Sequence, residues 1–404
     1  MAVAVLVVGL AVKSIYSRAT GPKGKPTIKS RKKATGVIFG KHGLGLACSP
    51  ENAEGHVVVF GGTGLGKTSA LLVPTLRKWN GTAFVIDISG DISRNVETPG
   101  KLVYEPGNPQ TTPYNVFAAV DAARGIEDKN ELLTELAFLI MPPEIHEHAT
   151  TKYFNDEGRK MLTGALLCYY HMGLDFVQIC EKIIESDFLA LLSEVKEKGG
   201  AAAYRYIASF QGTNPQNAAG CKQSLDAAVT LFATNEKIKK GLRRPHSSEQ
   251  GISPAELEQS SVFVVLEESK LNVLAPLLHI LTAQTLSYMS TRPNNAAPTI
   301  LLALDEFPAL GKLEILHALR TLRKKNIRIM VFVQSLADLD LIYGEKERQA
   351  MLNNYRYKVI LGCGDPDTQE HVSRMIGEKT VTRRSVSHND RTTTQTESEY
   401  KERI

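Results

Sequence analysis

Residues 61–68 (GGTGLGKT) have the residue types and spacing of a loop that binds phosphate groups. They match the P-loop pattern G-x-x-x-x-G-K-[ST], in which glycines let backbone N–H groups surround a β-phosphate because no Cβ atom stands in the way. The lysine reaches the β- and γ-phosphates, and the hydroxyl after it binds Mg²⁺. The pattern predicts an ATP–Mg²⁺ site formed by Gly61, Gly62, Thr63, Gly64, Leu65, Gly66, Lys67 and Thr68, with Lys67 also catalytic and Thr68 a metal ligand.

The sequence on either side of this loop supplies the elements that would hold it. Residues 56–60 (HVVVF) are a short apolar run rich in β-branched side chains, which is typical of a buried strand. The segment after the loop has apolar residues at helical spacing, and Pro74 is expected to bend that helix. A strand, a loop and a helix in this order favour phosphate binding, because the helix N-terminus attracts negative charge.

Four further apolar runs end in polar or small residues. The runs are 83–86, 299–304, 329–333 and 357–361, and the residues that follow them are Asp87, Asp305, Gln334 and Gly362. Ligands bind at the carboxyl ends of the strands in an open parallel sheet, so these residues are expected near the nucleotide. For Asp87 two interpretations stay open: a nucleotide contact, or an acid that forms a turn before Gly90.

Asp305 and Glu306 are predicted to complete the catalytic site. Asp305 is expected to hold Mg²⁺ through water, and Glu306 to orient or deprotonate the attacking water. Gln334 is then expected to sense the γ-phosphate. The alternative is that the two acids only cap a strand.

Residues 121–257 show helical periodicity, with apolar faces that begin at Leu132, Met161 and Phe176, and 262–266 return to a strand pattern. The densest basic cluster of this region could bind phosphate backbones without sequence preference, or be the solvated end of a helix. We call it the basic cluster; its members are Lys237, Lys239, Lys240, Arg243 and Arg244.

The composition sets outer limits on the protein class. A chain of 404 residues that is 43% hydrophobic and 23% charged is typical of a globular enzyme, and excludes collagen-like or wholly disordered chains. Residues 1–50 contain nine Lys or Arg and no acid, so the net charge of +5 belongs to the N-terminus. Five cysteines without a C-x-x-C pair argue against a disulfide framework or a structural zinc site.

Residues 2–12 (AVAVLVVGLAV) are apolar but too few to cross a hydrocarbon core, which needs about 20 residues. Basic residues follow, as on the cytoplasmic flank of a membrane helix. We therefore expect the inner end of a membrane anchor and a location at the cytoplasmic face of the cell membrane. The alternative is a hydrophobic start of a soluble protein.

Six stretches together resemble the type IV secretion coupling proteins, which are TraG/TraD-like conjugation ATPases. They are HVVVFGGTGLGKTSALLVPTL, FVIDISGD, KLVYEPGNPQTTPYNVF, LLALDEFPALGKL, RKKNIRIMVFVQS and GCGDPDTQEHVSRMIG, in the family's order. The D-E-F-x-x-L-G block and the strand that ends in Gln-Ser are the most specific, because generic P-loop enzymes do not share them. Gly62 and Leu65 depart from the family, which more often has proline and serine there.

This resemblance implies an α/β fold: a RecA-like P-loop ATPase sheet flanked by helices, with an inserted all-α domain. It implies a membrane-anchored homohexamer that hydrolyses ATP to drive DNA or relaxase–DNA into a secretion channel. The implied partners are single-stranded DNA bound without sequence preference, a relaxase or relaxosome, and the channel's ATPases and inner-membrane components. Arg323 lies where the family carries an arginine that reaches the neighbouring subunit's γ-phosphate; an exposed helix charge is the alternative.

The predicted organisation follows from these assignments. It comprises a partial membrane anchor (1–18), a basic linker (19–35), the nucleotide-binding domain in two parts (36–120 and 258–379), the all-α domain (121–257) and a mobile Ser/Thr-rich tail (380–404). Relatives continue beyond both ends, so we expect a fragment of a longer machine. Two other functions stay open: a double-stranded DNA pump of the FtsK or HerA kind, and an ATP-gated substrate receptor that pumps no DNA.

Overall fold

The computed structural model describes residues 4–7, 29–31, 36–42, 45–49, 55–143, 148–389 and 392–403. The chain divides into two compact units. The first comprises Met1–Trp79, Glu306–Pro308 and Arg328–Ile404, and the second comprises Asn80–Asp305 and Ala309–Ile327. Each unit therefore combines segments that are distant in the sequence.

The described residues form thirteen strands and fourteen α-helices. The strands are β1 (Ala4–Val7), β2 (Lys29–Arg31), β3 (Ile38–His42), β4 (Gly45–Cys48), β5 (His56–Gly61), β6 (Gly81–Asp87), β7 (Leu102–Tyr104), β8 (Val262–Val265), β9 (Thr299–Leu304), β10 (Ile327–Val333), β11 (Tyr355–Gly362), β12 (Glu378–Asn389) and β13 (Thr392–Arg403). The helices are α1 (Val73–Lys78), α2 (Asp91–Asn95), α3 (Ala118–Ala122), α4 (Ile126–Ile140), α5 (Ala149–His171), α6 (Phe176–Glu185), α7 (Phe188–Lys198), α8 (Gly200–Ile207), α9 (Pro215–Thr234), α10 (Glu236–Leu242), α11 (Leu271–Thr291), α12 (Ile315–Thr321), α13 (Leu336–Asn354) and α14 (Pro366–Ile376).

The first unit contains parallel strands in the order β1-β11-β5-β10. Val58 at the centre of β5 lies opposite Lys358 of β11 on one side and Val331 of β10 on the other. Every residue of β5 and β10 is buried. Strands covered on both faces appear in the sequence as nearly continuous apolar runs, which is why the strand predictions at 56–60, 329–333 and 357–361 are confirmed.

Two antiparallel sheets also belong to the first unit. One has the strand order β2-β4-β3, and the other is the hairpin of β12 and β13. The hairpin differs from the mobile tail predicted for residues 380–404. Its threonines and valines favour extended backbone, and the register sets Lys379 opposite Glu402 and Arg384 opposite Glu397.

The N-terminal apolar run also differs from its prediction where it is described. Ala4–Val7 form the strand β1, parallel to β11, whereas a membrane anchor was expected over 1–18. A β-branched run suits an edge strand as well as it suits a membrane segment. The other residues of 1–18 lie outside the described residues. Among the helices of the described chain, none combines the length and apolar character needed to cross a bilayer.

The second unit contains parallel strands in the order β9-β6-β8-β7. Phe84 of β6 lies opposite Leu302 of β9 and Val262 of β8. The strands predicted at 83–86, 299–304 and 262–266 are therefore confirmed. The short strand β7 was not predicted.

Eight described α-helices, α3 to α10, lie between β7 and β8 in the chain, and seven of them, α4 to α10, form the all-α part of the second unit. The three predicted apolar faces are confirmed, since Leu133, Leu166 and Ile179 are all buried. Phe176 and Phe232 meet edge to face with ring centroids 5.3 Å apart, which ties α6 to α9. The arrangement matches the predicted α/β fold class with an all-α insertion.

Candidate active site

The P-loop lies between the end of β5 and a π-helical turn, Lys67–Leu72, that continues into α1. Gly64 and Gly66 have φ angles of +77° and +80°, a left-handed conformation that side chains with a Cβ disfavour. Gly66 accepts a hydrogen bond from Ala70 N at 2.8 Å, which starts the helix directly after the loop. Both glycines are therefore required by the backbone path.

Lys67 is buried, with 5% of its surface exposed. Its Nζ lies 2.8 Å from Oε1 of Glu306. The pair is close, but Nζ has no hydrogen bond of regular geometry to any described residue. A buried ammonium group whose N–H donors are not satisfied is suited to an anionic ligand.

Glu306 adopts a left-handed backbone conformation, with φ at +46°. Such a conformation costs a non-glycine residue about 1–3 kcal/mol and is often found at functional sites. The next residue, Phe307, is fully buried and stacks on Tyr343 with ring centroids 5.5 Å apart and an interplanar angle of 16°. This packing holds the backbone next to the strained residue in place.

Gln334 connects Glu306 to the P-loop. Its Nε2 donates to Glu306 Oε2 at 3.0 Å, and its Oε1 accepts from Thr63 Oγ1 at 3.4 Å. Gln334 directly follows β10, and the next residue, Ser335, caps α13. The first unit therefore brings together four predicted site residues: Thr63, Lys67, Glu306 and Gln334.

Two residues were predicted to act on the metal. Asp305 is 4% exposed and follows β9 in the second unit, where its N–H donates to Ile86 O at 3.3 Å. It directly precedes Glu306 in the chain. Thr68 is half-buried in the helical turn after the P-loop. Their role as magnesium ligands stays a prediction.

Asp87 is fully buried, and its carboxylate is occupied by local hydrogen bonds. Oδ1 accepts from Gly90 N at 2.8 Å, and Oδ2 accepts from Ser93 N at 2.7 Å. These bonds shape the turn that leads into α2. They match the turn-forming alternative for Asp87.

Three members of the basic cluster have carboxylate partners within the second unit. Lys239 Nζ lies 2.7 Å from Glu181, and Arg244 lies 3.1 Å from Asp121. Arg243 makes two hydrogen bonds to Glu249, at 2.5 and 2.7 Å, and these lower the pKa of that carboxyl to about 2. For these three residues the geometry favours the solvated helix end.

Lys237 and Lys240 are exposed, and neither forms an ion pair with a carboxylate of the described residues. Arg323 is also exposed and lies in a 3₁₀ helix, Leu322–Lys325. Their assignment to DNA and to a neighbouring subunit stays a prediction.

The supporting pair Phe307 and Tyr343 was not predicted from the sequence. Phe307 stands in the D-E-F block, so its position next to Glu306 was visible, but its packing partner was not. Tyr343 lies in α13, far along the chain, and only the folded structure shows that the two rings stack.

The chain is similar to Protein VirD4 of Rhizobium rhizogenes, with 26% identity over 391 residues that cover 87% of this chain and 54% of the relative. It therefore spans about half the length of this curated relative. Among solved structures it is similar to the unbound, monoclinic form of the bacterial conjugative coupling protein TrwBdeltaN70. That likeness has a TM-score of 0.68 and 20% identity, and covers 93% of this chain and 82% of the other.

A second structure, the plasmid coupling protein TrwB in complex with ADP and Mg²⁺, has a TM-score of 0.66 and 20% identity, covering 87% of this chain and 80% of the other. At these identities the likeness shows a common fold, the predicted RecA-like P-loop ATPase sheet with its all-α insertion. The family model described as type IV secretory system conjugative DNA transfer matches residues 11–404, and the chain belongs to this family.

Proposed function

We propose that this chain is an ATP-hydrolysing coupling protein that drives DNA or relaxase–DNA into a type IV secretion channel. The observation that carries the proposal is the connected set of Thr63, Gln334, Glu306 and Lys67, in which a P-loop lysine, a strand-end acid and a glutamine meet. Family membership supports the role in conjugative DNA transfer. The assignments of ATP hydrolysis, substrate and partners go beyond family membership and are part of our proposal.

The residues of the loop fit ATP with Mg²⁺. The left-handed glycines Gly64 and Gly66 leave backbone N–H groups accessible, and Lys67 Nζ has donors to offer to phosphate oxygens. TrwB, a structural relative, has been solved with ADP and Mg²⁺. When bound, Mg²⁺ would neutralise the charge on the phosphates, and Thr68 and Asp305 are the residues that would hold it.

Glu306 and Gln334 would carry the hydrolytic step. A γ-phosphate at Lys67 would compete with the Glu306 carboxylate for the ammonium group, which would leave this carboxylate able to accept a proton from water. Gln334, which contacts both Glu306 and the P-loop, would report on whether the phosphate is present. Arg323 would act in trans, because a charge supplied by a neighbouring subunit can stabilise the transition state.

The cellular setting is part of the same proposal. The protein would act as a ring of six copies at the cytoplasmic face of the cell membrane. Its partners would be the relaxase or relaxosome, the ATPases of the channel and the channel's inner-membrane components. Exposed Lys237 and Lys240 would contribute phosphate contacts of single-stranded DNA.

One observation supports the second candidate, a substrate receptor. The all-α part carries a cavity of about 920 Å³ that is lined by three acidic residues and one basic residue beside aromatic rings: Glu127, Glu131, Glu135, Arg205, Phe138 and Tyr206. No ion pair within 4 Å joins these glutamates to a cation of the described residues. Such a cavity suits a cationic segment of a protein substrate by charge complementarity.

ATPase assays without DNA, with single-stranded DNA and with double-stranded DNA test the proposal and separate the candidate functions. We expect turnover by the full chain that rises with single-stranded DNA, and loss of transfer in a mating assay when Lys67 is replaced by alanine. A stronger response to double-stranded DNA would favour the FtsK or HerA kind of pump. Turnover that ignores DNA but rises with a relaxase would favour the receptor, and absence of turnover under all conditions would contradict the proposal.

A further inference from the structure

The 3₁₀ helix Leu322–Lys325, which carries Arg323, is held by a buried arginine at the end of α11. Arg292 is 3% exposed. Its Nη1 donates to Lys325 O at 2.8 Å, and its Nη2 donates to Pro298 O at 2.9 Å. One guanidinium group thus joins the last residue of the 3₁₀ helix to the segment that leads into β9.

Glu258 fixes this guanidinium from the other side. Its carboxylate receives two parallel hydrogen bonds from Arg292, Nε to Oε1 at 2.7 Å and Nη2 to Oε2 at 2.9 Å. Tyr288 Oη donates to the same carboxylate at 3.0 Å. Burial raises the pKa of Glu258, but the hydrogen bonds from Arg292 and Tyr288 outweigh it, so the pKa is lowered and the carboxylate stays charged.

Further bonds tie the 3₁₀ helix to the same segment. Lys325 Nζ donates to Arg292 O, and Asn295 N donates to Lys324 O at 2.8 Å. Asn326, in a left-handed conformation with φ at +57°, donates through Nδ2 to Ala296 O at 3.1 Å. The backbone around Arg323 is therefore anchored at several points, while the Arg323 side chain is exposed.

We propose that Arg292, oriented by Glu258, is a positioning residue that sets the place of Arg323 for its action on a phosphate held by a neighbouring subunit. This inference rests on the proposed function. A displacement of about 1 Å in a catalytic group can cost about 100-fold in rate, so an arginine that acts in trans needs a rigidly held backbone. Lysine cannot replace Arg292, because only the planar guanidinium makes the paired contact with Glu258 while also reaching two carbonyl groups.

A double-mutant cycle on the full chain tests this inference, with Arg292→Lys, Arg323→Ala and the double variant. Turnover, KM for ATP and the melting temperature are measured for each. We expect Arg292→Lys to lower kcat by about 10- to 100-fold with KM little changed. The double variant should be no slower than Arg323→Ala alone, because Arg292 acts through Arg323. Lys324→Ala, an exposed neighbour on the same 3₁₀ helix, is the matched control and should leave kcat unchanged.

The other outcomes are decisive as well. If Arg323→Ala is impaired but Arg292→Lys turns over normally, the positioning role is wrong and the trans-acting arginine stands. If the two effects multiply, Arg292 has a general structural role and the inference is overturned. If Arg323→Ala is fully active, Arg323 does not act in trans and the inference is overturned with it. Glu258→Gln, which keeps the acceptor but removes the charge, gives the same test if Arg292→Lys does not fold.

Discussion

Lys67 Nζ and Glu306 Oε1 lie 2.8 Å apart, although they come from distant parts of the chain. Glu306 also accepts a hydrogen bond from Gln334, which in turn accepts one from Thr63. The P-loop, Glu306 and the glutamine are therefore one connected set. A change at any of these residues is expected to alter the others' contacts with nucleotide.

Glu306→Gln is expected to bind ATP but hydrolyse it slowly. The amide preserves size and the left-handed backbone, but it cannot accept a proton from water, and a general base contributes about 10²- to 10⁴-fold. Single-turnover hydrolysis and nucleotide affinity should be measured together. Normal turnover with intact binding would show that another residue handles the water.

Gln334→Ala is expected to reduce kcat more than it weakens nucleotide binding. The amide touches both Glu306 and Thr63, so its loss frees the carboxylate to leave its position while the P-loop itself is unchanged. Gln349→Ala, an exposed glutamine of α13, is the matched control. Equal effects of the two variants on kcat would remove Gln334 from the mechanism.

The free energy of unfolding is expected to fall as the pH drops from about 7.5 to about 5.5. Burial lowers the pKa of His371 below its ordinary value of 6.5, and the charges of Arg348, Arg374 and Lys358 lower it further. As the pH falls, this histidine therefore takes up its proton at a higher pH in the unfolded chain than in the folded chain. The stability that is present above pH 6.5 is lost as the pH falls through the folded-state pKa.

His371→Gln should flatten this dependence in urea unfolding at the two pH values. The flattening is partial, because burial also lowers the pKa of His171 and His279. His317→Gln, at an exposed position of α12, serves as the control and should keep the full slope. An unchanged slope in His371→Gln would contradict the assignment.

Replacing both Lys237 and Lys240 by alanine is expected to weaken binding to single-stranded DNA and reduce its salt dependence. Each lost phosphate contact should lower the slope of log K against log salt by about 0.7. Lys152→Ala with Lys196→Ala, exposed lysines of α5 and α7, is the matched pair that should leave the slope unchanged. Identical slopes in all proteins would show that these lysines do not contact DNA.

Much of the fold is visible in the sequence because buried parallel strands such as β5 and β9 are nearly continuous apolar runs. The hairpin of β12 and β13 was missed because serine and threonine content was interpreted as disorder, although threonine favours strands. The strand β7 has only three residues, too few to show a pattern.

The candidate site also combines features that local sequence patterns indicate with features that only tertiary contacts determine. The assignment of the P-loop, Glu306 and Gln334 to one site stays a prediction from local patterns next to strands, and the structure places Lys67, Glu306 and Gln334 together. The left-handed backbone of Glu306 could not be predicted, since it depends on tertiary packing such as that of Phe307 on Tyr343. The partners of the basic cluster could not be predicted either, and they include Glu181 for Lys239 and Asp121 for Arg244. Those two carboxylates lie far from the cluster in the chain, so only the folded protein shows that Lys239 and Arg244 are paired.

The ATP affinity of Lys67→Ala beside that of Lys78→Ala, measured with a fluorescent ATP analogue and Mg²⁺, tests the proposed nucleotide site most directly. Lys67 is buried in the P-loop, whereas Lys78 is exposed at the end of α1. We predict that binding is lost, or weakened by a factor of 100 or more (about 3 kcal/mol), in Lys67→Ala and kept in Lys78→Ala. Equal affinity in both variants would contradict the claim that this loop binds ATP.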